Sequence, residues 1–270
     1  MINAIQVEPK VRAIIKKDIT GVTANKRMMT ALIVVPLVMA IFLPAIFILT
    51  TVFIPEDSPD MMEMMALLGP VTVAEGSDMR HILINMILNY VIPLFFLLIP
   101  IMASSVMASS SFVGEKEKKT LETLLYSPLS LREIFNAKIL ASFLLSMAVS
   151  LLSFAIMLII FETLLLILFK TMILPNINWL IMMLLVSPAM ALISINIIVR
   201  GSAKSQTSEE AQQSSLFLVL PVILLITGQF TGIMMLGPQF FLILGAVTAL
   251  IALLMFRGSF GNYSYEKLLR

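Results

Sequence analysis

The chain has 270 residues, of which 59% are hydrophobic and only 13% charged, with a formal net charge of +2. Soluble globular proteins carry roughly 25% charged residues, so this composition marks an integral membrane protein. Cysteine is absent, which excludes disulfides, thiolate metal sites, a catalytic cysteine and a lipidated cysteine. The 21 methionines read as lipid-facing and packing side chains, because they lack the clustering that a copper path requires.

Residues 1–28 are too polar for a signal peptide, whose apolar core follows a short basic start, and they are expected to be retained. Pro9 suits a first helical turn. Beyond it Val11, Ile14, Ile15, Ile19 and Val22 form one stripe, while Lys10, Arg12, Lys16 and Lys17 lie largely around the rest of the helix. That pattern predicts a basic amphipathic helix in the cytoplasmic interface.

Six apolar runs follow, over about 29–54, 82–107, 139–161, 178–199, 216–236 and 239–256, each long enough for a bilayer core. Pro36 and Pro44 are expected to bend the first. Residues 55–80 after it are acidic, and Ser58-Pro59-Asp60 reads as the start of a short helix on the outer membrane surface, or of a lid. The second run stacks Asn85, Asn89 and Pro93 at intervals of four. Polar groups in lipid must face a partner or a cavity, so Asn85 and Asn89 either bond a neighbouring helix or line a translocation route; Gln229 in the fifth run is a third candidate for that lining. His81, the only histidine, reads as an interface residue.

In the third run Ser142, Ser146, Ser150 and Ser153 share a face that suits close helix packing. Glu162 falls near its outer boundary, and residues 162–170 either prolong the helix or lie along the surface. Asn176 and Trp179 mark the outer start of the fourth run, since tryptophan favours the interface, and Ser187-Pro188 is expected to kink it. Residues 200–215 form a polar loop. The fifth run holds Pro221 and a lone G-x-x-x-G, Gly228 to Gly232, which marks either a dimer face or, the favoured reading, a helix contact within the monomer. Gly237-Pro238 turns the chain into the sixth. Only Arg80 and Lys170 fall on the proposed outside, so the positive-inside rule puts both termini in the cytoplasm. The fold expected is all-α, with six membrane spans, an N-terminal interfacial helix (1–28) and a cytoplasmic tail (257–270).

The longest interval expected to face water on the cytoplasmic side is 111–138, continuing to Leu140, whose five basic and four acidic residues cannot lie in hydrocarbon. Leu121, Leu124 and Leu125 recur at helical spacing, predicting a short amphipathic helix from about Lys118 to Tyr126 that Ser127-Pro128 stops. Ser130-Leu131-Arg132-Glu133 is a capping box that starts the next helix. The run GEKEKKTLETLLYSPLSLREIFNAKIL resembles the first cytoplasmic loop of ABC transporter permeases of the type-2 exporter class, where an acidic-basic stretch, Thr-Leu-Glu-x-Leu-Leu, Ser-Pro and a downstream lysine recur. With the six-span topology, the resemblance covers essentially the whole chain.

That resemblance implies that the loop holds a coupling helix, docked on a separate cytoplasmic ABC ATPase that carries ATP and magnesium. No cofactor is expected on this chain. Carried onto this sequence, the docking surface comprises Glu117, Lys119, Thr120, Leu121, Glu122 and Leu125, with Ser127 and Pro128 fixing the turn. The resemblance also implies contact of the N-terminal helix and, to a lesser degree, the 200–215 loop with the ATPase, and pairing with a second copy or a related permease. Membrane lipid is an expected partner and nucleic acid is not.

An ATPase needs G-x-x-x-x-G-K-[ST], and no Gly-Lys pair occurs in the chain. One histidine cannot build an intramembrane metalloprotease, and Glu209-Glu210 lacks the following arginine and later histidines of the prenyl-protein proteases. The chain is therefore read as a non-enzymatic permease subunit of an exporter with a hydrophobic or amphipathic cargo such as a peptide, drug or lipid. Two alternatives remain: a non-transporting membrane scaffold or immunity protein, and an ion-coupled secondary transporter, for which the nearly charge-free spans offer no evident coupling residue.

Overall fold

A computed structural model of the chain describes residues 9–55, 58–59, 62–63, 79–120, 129–230 and 237–259. Among them every regular element is helical. The N-terminal helix α1 (Pro9–Ala24) is followed by six helices long and apolar enough to cross a membrane: α2 (Lys26–Phe53), α3 (Arg80–Glu117), α4 (Leu131–Phe169), α5 (Ile177–Gly201), α6 (Ser208–Gln229) and α7 (Pro238–Arg257). Of the expected outer-surface helix at 58–68 only residues 58–59 and 62–63 are described, with Met62 N donating to the Ser58 carbonyl at 3.3 Å; residues 121–128 of the central loop and the tail beyond 259 lie outside the described residues.

Contacts between helix ends show that the six alternate in direction. Lys138 at the start of α4 meets Glu115 at the end of α3, Arg27 at the start of α2 meets Glu209 at the start of α6, and Arg200 of α5 donates to the Met255 carbonyl of α7. These ends together form the basic end of the bundle. At the opposite end Arg80 donates to the Ile54 carbonyl and His81 is 2.8 Å from the Thr171 hydroxyl.

Two helices make the core. In their apolar windows α3 is 67% buried and α5 61%, against 22–28% for the other four. The reason is side-chain size. Ala103, Ser104, Ser105, Ala108, Ser109, Ser111 and Gly114 are all buried along α3, and small residues let backbones approach. Ser194 of α5 donates to the Ile101 carbonyl at 3.1 Å, and the Ser105 hydroxyl lies 2.6 Å from that of Ser215 in α6. The serine face of α4 is buried as expected, and each hydroxyl donates to a carbonyl three or four residues back in its own helix.

Three helices are interrupted in the same way. Five-residue π turns occur at Val38–Phe42, Ile87–Val91 and Met182–Val186, and each ends two residues before a proline, Pro44, Pro93 or Pro188. A proline ring collides with the carbonyl four residues back and supplies no N–H. Widening the turn before it relieves that collision. In α3 the carbonyls that Pro93 leaves without its N–H find donors from α5: Trp179 Nε1 donates to Leu88 O at 3.0 Å, and Asn178 Nδ2 to Asn89 O at 2.9 Å.

Four sequence expectations need correction. The charged interval from Ser111 to Leu140 is not a water-facing loop at its two ends: α3 continues to Glu117, α4 begins at Leu131, and Ser111 to Glu115 are buried. The helix expected from Lys118 does not start there, because residues 118–120 form the turn that ends α3. α1 is not simply a surface helix. Its Ile14 packs with Ile134 and Ala137 of α4, and its Val22 with Leu32, Val106 and Ala141. Asn176 and Trp179 do stand at the start of α5, but the Trp179 side chain is 2% exposed and packs inside the bundle instead of facing an interface. The segment from Glu162 onward, left open by the sequence, prolongs α4 to Phe169.

Trp179→Phe keeps an aromatic ring between Phe96 and Phe154 but strips the Leu88 carbonyl of its donor. A buried carbonyl left unpaired costs about 1–3 kcal/mol, so the detergent-solubilised variant is expected to unfold at lower temperature in a thermal melt.

Candidate functional site

The site lies at the basic end, where α1 crosses the extensions of α3 and α4. At 1.5 Å per residue, the 39 residues of α4 span roughly 58 Å, about twice a hydrocarbon core of roughly 30 Å. Both α3 and α4 therefore project beyond it. Between the projections lies Lys138, its side chain 3% exposed. Its Nζ is 3.1 Å from Glu115 Oε2 and 3.5 Å from Asp18 Oδ2, donates to the Ser111 carbonyl, and sits 5.6 Å from the centre of the Phe112 ring. Ser111 donates its hydroxyl proton to Asp18. Lys17, half-exposed at the rim, reaches Glu115 Oε1 at 2.6 Å.

The charges balance: Asp18 and Glu115 against Lys138 and Lys17. Burying unpaired ions is prohibitive, whereas a neutral hydrogen-bonded cluster is tolerated. Its effect is positional. Asp18 comes from α1, Glu115 and Ser111 from α3, and Lys138 from α4, so one cluster fixes three helices at both edges of the central loop.

The entry to that loop is equally defined. Thr120 N donates to Glu115 O at 2.8 Å and Lys119 N to Lys116 O at 3.1 Å, the paired bonds of a Schellman cap. Lys119 occupies the left-handed position with φ 56°, where glycine is usual. At the exit Ser130 N donates to Glu133 Oε2 at 2.7 Å and Glu133 N to Ser130 Oγ at 3.3 Å, the capping box read from the sequence. The loop is thus pinned at Thr120 and Ser130.

The 200–215 segment belongs to the same assembly. Thr207 caps the helix that opens α6 by accepting from Glu210 N. Glu117 Oε2 accepts from Ser208 N at 3.1 Å and from its hydroxyl at 3.0 Å, and Lys116 Nζ donates to the Ala203 carbonyl. Of the expected docking residues, Glu117 therefore holds the second loop beside the first, and Lys119 and Thr120 are exposed in the cap. Leu121, Glu122, Leu125, Ser127 and Pro128 lie outside the described residues.

The expected path-lining residues separate. Asn89 is 2% exposed and committed to packing: its Nδ2 donates to Asn85 Oδ1 and its Oδ1 accepts from Asn176 N at 2.8 Å. Asn85 is exposed on the part of α3 away from the basic end. Gln229 is buried near the end of α6, with no described contact to either asparagine. No group of three or more metal-ligating His, Asp or Glu side chains occurs among the described residues.

Sequence reasoning missed the central cluster. The available signal was Asp18, an acid inside the apolar stripe, four residues after Ile14 and four before Val22. Lys138 gave a second, four residues before Ser142 on the inward face of α4.

Residues 12–261 match the family model described as ABC-2 family transporter protein. The chain belongs to this family. No curated protein and no solved structure matches it significantly. The chain is accordingly a multi-pass ABC-2 permease, the membrane-spanning component of a transporter rather than its ATPase. In this permease the buried cluster joins the end of α3 and the start of α4, the two helices between which the loop that resembles a coupling element runs in the sequence.

Lys138→Met in the ABC-2 permease would leave Asp18 and Glu115 buried together without their shared cation. Removing one partner of a buried pair costs about 3–5 kcal/mol, so the single variant is expected to lose helical structure on mild heating in detergent. The triple variant Asp18→Asn, Glu115→Gln, Lys138→Met should recover much of that loss. Equal losses in single and triple variants would show that charge is not what holds the site.

Proposed function

We propose that the chain is the permease subunit of an ABC exporter, driven by ATP and magnesium on a separate cytoplasmic ATPase. The observation that carries this reading is the buried Asp18–Lys138–Glu115 cluster. It ties α1 to both helices that flank the 118–130 loop, so that a force on the loop reaches α3 and α4 together. The basic end is the cytoplasmic one, with both termini inside, as the distribution of lysine and arginine favours.

In this reading the ATPase docks on the loop through Leu121 and Leu125, with Glu122, Lys119 and Thr120 around them and Ser127-Pro128 setting the turn. α1 and the Ser208–Gln213 helix flank that surface. A second copy, or a related permease, completes the cavity, with Asn85 on α3 and the exposed face of α6 toward it. Closure of two ATPases would press the paired loops and switch the cavity between inward and outward access. The apolar, methionine-rich interior favours a hydrophobic or amphipathic cargo.

Purification of the tagged chain from its native membrane in mild detergent, with mass spectrometry of what accompanies it, tests the reading. A protein bearing G-x-x-x-x-G-K-[ST] is expected, together with its loss in Leu121→Asp while the variant permease still inserts. Undiminished recovery of the ATPase with both Leu121→Asp and Leu125→Asp would place docking elsewhere. Absence of any ATPase from the wild-type complex would remove the energy source on which the proposal depends.

A further inference from the structure

An apolar groove of about 330 Å³ opens between α1, α2 and α4, lined among others by Thr23, Ile33, Leu37, Leu145, Leu152 and Ile156. Its volume is at the lower end of the roughly 300–1,000 Å³ typical of small-molecule sites. The two hydroxyls in its wall are already satisfied: Thr23 donates to the Ile19 and Thr20 carbonyls, and Ser153 to Val149 O at 2.7 Å. The walls therefore select hydrocarbon.

The mouth is different. Met29, Ile33, Pro36 and Ala40 place one face of α2 in the groove, and Lys26 extends that face by one turn. On α1, Lys16 lies two turns before Thr23 on the same face. Both lysines are exposed. The neighbouring bases Lys17, Arg27 and Lys138 all have carboxylate partners, whereas no carboxylate pairs with Lys16 or Lys26 among the described residues. Asp18, beside them in sequence, is turned inward to Lys138. Two cations with no carboxylate partner among the described residues thus lie, by helical spacing, on the faces of α1 and α2 that line the slot.

We propose that this groove is a binding site for an anionic phospholipid, with an acyl chain between α2 and α4 and the headgroup phosphate between Lys16 and Lys26. A second copy of the chain fits less well, because a two-fold contact through this face would bring the same lysines of both copies together. The cytoplasmic leaflet is the anionic one, so the leaflet assignment rests on the orientation proposed above. The site itself does not. A lipid held there would brace α1 against α2 and α4 further along α4 from the buried charge cluster.

Native mass spectrometry of the purified permease, with phosphatidylglycerol and phosphatidylcholine of matched chains, reads the site directly. The expected result is retention of one phosphatidylglycerol several-fold above phosphatidylcholine. Lys16→Gln/Lys26→Gln should abolish that preference, and Leu152→Trp should reduce retention of both lipids by filling the slot. The double-lysine variant changes only exposed side chains, so the test does not depend on the tryptophan variant folding. Equal retention of the two lipids by the wild type, or a preference untouched by the lysine changes, would overturn the proposal. So would an efficient disulfide between two copies carrying Leu152→Cys, which the cysteine-free background makes easy to detect. Because the measurement needs no ATPase, failure of the docking proposal would leave its outcome unaffected.

Discussion

Lys138 is the residue on which the arrangement of the basic end depends. A lysine 2% exposed can stay charged only where carboxylates and carbonyls replace its water, and here they come from other helices. The Asp18 carboxylate requires α1 to lie across α3 and α4, and the Glu115 carboxylate requires α3 to stay helical past the membrane core. Removing α4 would leave Asp18 and Glu115 buried with only the rim residue Lys17 to offset them. The hydrophobic contacts of Ile14 with Ile134 and Ala137 add attraction without comparable directional demand, so the charge cluster sets the register and the apolar stripe supplies the adhesion.

The same end is stiff where the middle of the bundle is not. α4 runs 39 residues with neither proline nor glycine, an uninterrupted strut from the central loop to the far side. α2, α3 and α5 each carry a π turn before a proline. Those prolines lie 9 residues from the end of α2 opposite the basic one (53 − 44), 13 from that of α3 (93 − 80) and 11 from that of α5 (188 − 177), or roughly 14–20 Å at 1.5 Å per residue. All three breaks therefore fall near mid-membrane. A helix missing a main-chain bond bends there first, so displacement of α3 at the basic end would be taken up at Ile87–Val91. The donors from Asn178 and Trp179 make α5 a partner in any such movement.

Much of this was legible in the sequence, because bilayer physics leaves little choice: an apolar run of about 20 residues must be a helix. The capping box at Ser130 and the serine face of α4 were local patterns with local causes. What stayed hidden was tertiary. Charges at Ser111–Leu140 implied water, but Glu115 and Lys138 neutralise one another and draw Ser111–Glu115 into the protein. Trp179 implied an interface until the carbonyls exposed by Pro93 gave its N–H a buried partner. Glu117, placed by resemblance at an external docking surface, bonds to Ser208, 91 residues away. Family membership came from the whole pattern of spans and loops, while these pairings could come only from the fold.

The central claim is that α1 and the base of α4 move as one body because the buried cluster joins them. With no native cysteine, spin labels can be placed at Ala13→Cys on α1 and Asn136→Cys on α4, both exposed positions. Pulsed electron-electron resonance on the assembled transporter, with and without ATP under non-hydrolysing conditions, would report the distance between them. The account predicts one narrow distribution, unchanged by nucleotide, that broadens when Lys138 is replaced by methionine. A shift of several ångströms between the two nucleotide states in the Lys138 protein would contradict it.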